Sequence, residues 1–214
     1  MLESGEPPST MHLVPTQEEV VGVLRNTGAL RDGHFEYPNG LHSNEYLQVP
    51  LAMRRYQDAR ILSVGLSRLL RSDTEIRALI PELSIVAPAT GGLPVAYGVC
   101  EALQARQVYW SEGDAEGKPQ RFRQYIEPRP GEPVVLVDDI LRSGRRLSAL
   151  KQIMEEHGAH VLALAVIVYQ PRPQTHDFGS LPLYYLARLE ASYYSDASFC
   201  DMCKASRPVE KVQV

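Results

Sequence analysis

The sequence predicts an α/β fold: a mostly parallel β-sheet flanked by helices. Three observations predict it. Two runs, "PVVLVDDI" and "HVLALAVIVYQ", are continuously apolar, as strands buried on both faces must be. Each candidate strand from residue 83 onward is followed by an amphipathic or turn-forming segment, giving an alternating strand–helix rhythm. Two of the strand-to-helix junctions, "APATGG" and "DDILRSG", carry glycine where the chain must turn tightly.

The elements follow in order. Residues 1–15 hold Pro7, Pro8 and Pro15 among polar neighbours and read as a flexible leader. Thr16 and Glu19 have the spacing of a capping box, opening a helix over "QEEVVGVLRNTG" that Gly28 can close. "GHFEYPNGLHSNEYLQVPL" alternates apolar and polar residues about Asn39-Gly40, the signature of a hairpin. From Tyr56 to about Arg71, Ile61, Leu62, Val64, Leu66, Leu69 and Leu70 form a helical face. "LSIVA" is then a strand, "LPVAYGVCEALQA" a helix and "QVYW" a short strand. Residues 111–132 have little apolar content and three prolines, so they form a long excursion. The strand "PVVLVDDI", the helix "RRLSALKQIMEEHGA", the strand "HVLALAVIVYQ" and a last strand near "LPLYYLARLEA" complete the order.

At 214 residues the chain fits one domain with an appended segment. Its formal charge of −4 gives no reason to expect a nucleic-acid surface, while leaving room for a local basic pocket. No run reaches the roughly 18 apolar residues of a membrane span, and the start lacks a secretory pattern. Three cysteines do not make a disulfide framework, so a reducing cytoplasm is the expected location.

Chemistry concentrates at the strand ends. Asp138 and Asp139 close an apolar strand, where open α/β sheets bind ligands. On an extended backbone, adjacent side chains point to opposite sides. One acid is then free for a ligand hydroxyl or a hydrated magnesium ion, and the other for backbone or basic groups. A solvated acidic turn is the plainer alternative. Arg142, Ser143, Gly144, Arg145 and Arg146 follow directly, at a helix start whose amides favour an anion. Arginines there are unfavourable for an empty helix end and suit a bound phosphate. Ala89, Thr90, Gly91 and Gly92 form a second amide-rich turn. Two such turns on adjacent strands suit a ligand with phosphates at both ends.

"VVLVDDILRSG" resembles the phosphate-binding stretch of the type I phosphoribosyltransferases, and the rest resembles the orotate-using branch of that family. "NTGALRDGHFEYPNGLHSNEYLQ" is similar to its small N-terminal hood and "APATGGLPVAYGV" to its pyrophosphate loop. "ARLEASYYSDASFCDMCKASRPV" is similar to the Cys-x-x-Cys tail of one bacterial set. The resemblance covers roughly residues 20–210. It implies a hood over residues 16–55, a core over 56–190 with a mobile loop at 111–132, and a tail over 191–214. It also implies a magnesium-dependent transfer of phosphoribose from phosphoribosyl pyrophosphate to orotate, by a homodimer. Asp138 and Asp139 would then hold the ribose hydroxyls or the ion's waters, the turn 142–146 the 5′-phosphate, and Thr90–Gly92 the pyrophosphate. Lys118, Arg121 and Arg123 are the candidates for a basic loop residue at the leaving group. Another acceptor base, or a binding regulator without turnover, stands as the alternative.

The chain departs from the family pattern at Arg142 and Arg145, where threonines are usual. In the hood, Pro38 stands where a basic residue contacts the acceptor. "YQPRP" replaces an Asp-Arg pair after the last long strand, with Arg172 displaced. His34 and His42 lie in the hood, able to line the base pocket or to serve structure. Cys200 and Cys203 supply half of a tetrahedral zinc site, completed by a second copy of the chain if metal is held at all.

Overall fold

The structure is a computed structural model that describes residues 13–114, 118–122 and 128–212. Arg123 and most of the expected leader lie outside the described residues. Helix α1 (Gln17–Asn26) leads into a hairpin of β1 (Leu30–Glu36) and β2 (His42–Leu47). Three helices follow, α2 (Pro50–Met53), α3 (Tyr56–Ser72) and α4 (Thr74–Leu79). The core then runs β3 (Ser84–Pro88), α5 (Gly92–Leu103), β4 (Gln107–Gly113), β5 (Pro119–Phe122), β6 (Pro133–Leu141), α6 (Arg145–Glu156), β7 (His160–Tyr169) and β8 (Leu183–Arg188). Two-residue β9 (Tyr193–Tyr194), short α7 (Asp201–Lys204) and two-residue β10 (Glu210–Lys211) end it.

The main sheet has the order β5-β4-β3-β6-β7-β8, parallel throughout except for β5. The aliphatic runs of β6 and β7 are buried nearly end to end because helices cover both faces. Leu62, Leu66 and Leu70 of α3 and Val95, Val99 and Leu103 of α5 pack on one face with Val135 and Val137. Leu147, Leu150 and Met154 of α6 pack on the other with Val134 and Leu136. Alternate β6 residues thus serve opposite layers. The connection through α5 leads from β3 outward to β4, and that through α6 leads from β6 outward to β7. The strand order therefore reverses between β3 and β6, which opens a crevice at their carboxyl ends.

The expected excursion over 111–132 is partly regular. β4 runs on to Gly113 and turns back as β5, with Asp114 and Lys118 bonded backbone to backbone at 2.9 Å. An edge strand needs few apolar residues, which is why composition does not reveal it. Where the segment returns to the sheet, the buried Glu132 carboxylate accepts from Ser84 Oγ, from Gln107 Nε2 at 2.9 Å, from Tyr109 Oη at 3.2 Å and from Arg129 N at 2.9 Å.

The hood is built from both ends of the chain. Its sheet has the order β10-β1-β2-β9, so residues of the expected tail flank the hairpin on either side. Its own core is small: Phe35, Tyr37, Tyr46 and Val212. Among the described residues no helix is long and apolar enough to cross a membrane.

Burial alone would raise the Glu132 carboxyl, but the donors from Ser84, Arg129, Gln107 and Tyr109 outweigh it and hold the group below its usual range. A depressed folded value contributes stability above the unfolded value of about 4.3, lost as pH falls through the folded value. Glu132→Gln is expected to lower unfolding free energy on the order of 1–3 kcal/mol at pH 7. Denaturant titrations should show that gap narrowing below pH ~4.

Candidate active site

The crevice between β3 and β6 is a cavity of about 420 Å³. It is lined by Thr90 and Gly91 from the β3–α5 turn, by residues 138–147 from β6 through the start of α6, and by Gln48, Pro50 and Arg172. Asp138 and Asp139 both face it, at 3% and 8% exposure. This corrects the expectation that only one acid would be free for a ligand. The last residue pair joining β3 to β6 is Val86–Leu136, so beyond it the β3 side of β6 is open and both carboxylates turn into the gap.

Asp139 requires the glycine at 91, and the fit at 92 is tight against both Ala87 and Asp138. A methyl group at Gly91 would lie 2.8 Å from Asp139 Oδ2, and one at Gly92 would lie 3.1 Å from Asp138 Oδ1. Backbone and carboxylate therefore approach more closely than any side chain would permit. The Ala89–Thr90 peptide in this turn is cis. Ala89 itself is tied back to β4 by a 2.9 Å bond from its N–H to Ser111 O and does not line the cavity; nor does Gly92, which starts α5.

The second turn is held from outside. Gly144 takes φ +74°, and a side chain there would meet His176 at 3.0 Å and Phe178 at 3.1 Å. His176 N donates to Ser143 O at 2.9 Å, and Thr175 Oγ1 donates to Arg142 O. The loop after β7 thus clamps the turn from behind, leaving the front to the cavity. Helix α6 starts there with no acidic residue in its first turn and with Arg145 and Arg146 in it. Its first amides point outward without intrahelical acceptors, which makes an anion site.

Burial, and next the charge of Asp139, push the Asp138 carboxyl well above its usual range; Arg146 pulls the other way. Asp139 N donates to Asp138 Oδ1 at 2.9 Å, and Ile140 N to Asp139 Oδ1 at 2.8 Å. Two crowded carboxylates offering only oxygen fit a hydrated divalent cation such as magnesium, or the vicinal hydroxyls of a sugar.

Arg142 spans core and hood. Its Nε donates to Gln170 Oε1 at 2.8 Å and its Nη2 to Leu47 O at 3.2 Å. Gln170 in turn donates to Glu45 at 3.1 Å and accepts from Tyr193 Oη at 2.7 Å. Arg172 stacks its guanidinium 4.1 Å from the Tyr193 ring centroid, while its buried Nε has no hydrogen-bond partner among the described residues. Arg172 also lines the cavity, so its guanidinium brings a cation to the wall. The sequence flagged Arg172 only as displaced; Gln48, Gln170 and Glu45 carried no sequence signal.

Of the loop candidates, Lys118 lines a neighbouring cavity of about 730 Å³ with Ser143, Arg145 and Arg146. Arg121 does not join them. It lies on β5, largely exposed and 3.7 Å from Glu112 across the hairpin, because the strand alternation turns it away from the cleft. His34 and His42 are buried within the hood and line neither cavity.

With this geometry established, the chain can be compared with known proteins. Residues 72–179 match the family model described as "Phosphoribosyl transferase domain". The orotate phosphoribosyltransferase of Thermotoga petrophila is 30% identical over 190 residues, covering 88% of this chain and 94% of that protein. The enzyme of the same name from Heliobacterium modesticaldum is 30% identical over 196 residues, 92% of this chain and 97% of its own. The fold is similar to that of crystalline orotate phosphoribosyltransferase from Aeropyrum pernix, with a TM-score of 0.61 at 20% identity, covering 79% of this chain and 93% of that one.

A raised folded pKa means that ionised Asp138 opposes folding, fully above the folded value and not at all below the unfolded value near ~3.9. Asp138→Asn is therefore expected to stabilise the ligand-free chain at pH 7, on the order of 1–3 kcal/mol. The gain should vanish toward pH ~4. Thermal melts across pH read it directly.

Proposed function

The chain belongs to the phosphoribosyltransferase family, and from that premise we propose that it transfers the phosphoribosyl group of phosphoribosyl pyrophosphate to orotate, giving orotidine monophosphate and pyrophosphate. The observation that carries this reading is the buried acid pair packed against the Gly91–Gly92 turn, beside a helix start bearing two arginines. The identity to orotate phosphoribosyltransferases over most of both chains selects the acceptor.

In this reaction a ring nitrogen of orotate bonds to C1 of the ribose while the C1–O bond to pyrophosphate breaks, the electron pair leaving with pyrophosphate. Positive charge builds on the sugar ring between the two events. Asp138 and Asp139 hold the ribose hydroxyls and stabilise that charge. The amides of residues 143–146, with Arg145 and Arg146, hold the 5′-phosphate. Thr90 and Gly91 cradle the pyrophosphate through backbone amides and the Thr90 hydroxyl, while Gly92, which starts α5, keeps the turn tight behind them. Lys118, on the turn between β4 and β5, faces the phosphate turn and would meet the leaving group's charge. Asp138 and Asp139 would hold magnesium through its waters, and the ion would supply positive charge against the departing pyrophosphate. Positioning and exclusion of water do the remaining work.

The acceptor's carboxylate needs a cation, and the hood supplies none at Pro38. Arg172, which lines the cavity, and Arg142, whose guanidinium has donors beyond those given to Gln170 and Leu47, take that role in this reading. Cytoplasmic location and homodimer assembly, with a Cys-x-x-Cys tail as in one bacterial set, belong to the same proposal.

Supplied with phosphoribosyl pyrophosphate, magnesium and orotate, the protein is expected to consume orotate, seen as loss of its absorbance. A purine consumed in its place would contradict the acceptor assignment. Asp139→Asn should lower kcat about 10²–10³-fold. Arg172→Ala should raise the KM for orotate roughly 10- to 100-fold while leaving that for the donor unchanged, the cost of one charge-assisted contact.

A further inference from the structure

Outside the cleft, the hood and the tail bring four soft ligands together. His34 from β1, His42 from β2, Cys200 at the cap of α7 and Cys203 within it place one ligand atom each within 4.8 Å of all the others. We infer that these four side chains bind one structural zinc ion per chain. The inference is independent of the transfer reaction, since none of the four lines the catalytic cavity.

The distances fit that ion. With zinc–sulfur near 2.3 Å and zinc–nitrogen near 2.0–2.1 Å, a tetrahedron has sulfur–nitrogen edges of about 3.5 Å. Cys200 Sγ to His34 Nε2, Cys203 Sγ to His34 Nε2 and Cys203 Sγ to His42 Nδ1 are each 3.5 Å. The two ring nitrogens are 2.9 Å apart and need to open by only about 0.4 Å to reach the tetrahedral edge. Two sulfurs and two nitrogens select zinc over the oxygen-seeking magnesium.

The surroundings orient the ligands. His34 Nδ1 lies 3.0 Å from Arg207 O. A carbonyl only accepts, so Nδ1 carries the proton and the Nε2 lone pair is turned into the cluster, as metal-bound histidines are held elsewhere. The β1–β2 register slips by one residue between Asp32 and Phe35, and this bulge at Gly33–His34 re-aims His34 onto the side where His42 sits. Cys200 and Cys203, three apart about one helical turn, present both thiols on one side. His34, His42 and Cys200 are buried.

The fold also has a use for the crosslink. The hood's own core is four residues, and the strands joining it to the tail are two residues each. Zinc would close the chain between positions 34 and 203, holding residues 191–212 on the hairpin that leads into Gln48 at the cavity.

The test uses the purified full-length chain. Elemental analysis after growth with zinc is expected to return about one zinc per chain; half an equivalent would instead mean a site shared between copies and would overturn the assignment. Cobalt added to the stripped protein should saturate at one equivalent with the intense ligand-field bands of a tetrahedral thiolate site, and zinc should displace it. Cys203→Ser and His42→Ala should each weaken zinc binding by more than about 100-fold, beyond the cost of losing a supporting hydrogen bond. Asp138→Asn should retain the ion. No bound metal, thiols that react freely with a disulfide reagent in the presence of zinc, or iron in its place would refute the site. The wild-type cobalt spectrum decides the matter even if a variant fails to fold.

Discussion

Two carboxylates forced together at the end of a buried strand are the constraint on which the rest of the structure depends. Asp138 and Asp139 leave water because β6 runs on to Leu141, past Leu136, the last residue it pairs with β3. Their mutual repulsion is tolerated because Arg146 stands at the next helix start and backbone N–H groups donate to both. Everything nearby accommodates this pair: glycine at 91 because no Cβ fits beside Asp139, and the reversal of strand order because it opens the space the acids face. A protein that needed only stability would replace the pair by apolar residues. Retaining it trades stability for a site poised to receive hydroxyls and a cation.

The hood works on the same cleft from the other side. Gln170 links Arg142 in the core to Glu45 on the hairpin and to Tyr193 on β9, so a residue of β9 helps fix a side chain that lines the cavity. Arg142 and Arg172 bring positive charge where Pro38 brings none. Both of these departures from the family pattern lie on the wall of the one cavity.

Much of the fold was legible in the sequence because its signals are local. The aliphatic runs of β6 and β7, the capping box at Thr16 and Glu19 and the Asn39-Gly40 turn each state their structure within a few residues. The acid pair and the turn after it were legible for the same reason. What escaped is long-range or too short for a periodic pattern. Glu45 and Gln170 meet across 125 positions, and His34 and Cys200 across 166. Two-residue strands such as β9 and β10 exist only because the hairpin is there to pair with. Arg121 was a reasonable candidate by charge, but pairing within the β4–β5 hairpin, invisible in composition, decided which way it points.

The central claim is that the crevice between β3 and β6 receives an activated sugar diphosphate. A crystal structure of the protein with phosphoribosyl pyrophosphate and magnesium tests it most directly. Pyrophosphate is expected against Thr90 and Gly91, the 5′-phosphate on the amides of residues 143–146, and the ribose hydroxyls at Asp138 and Asp139. Donor density elsewhere, or a crevice that stays free of donor at saturating concentration, would contradict it.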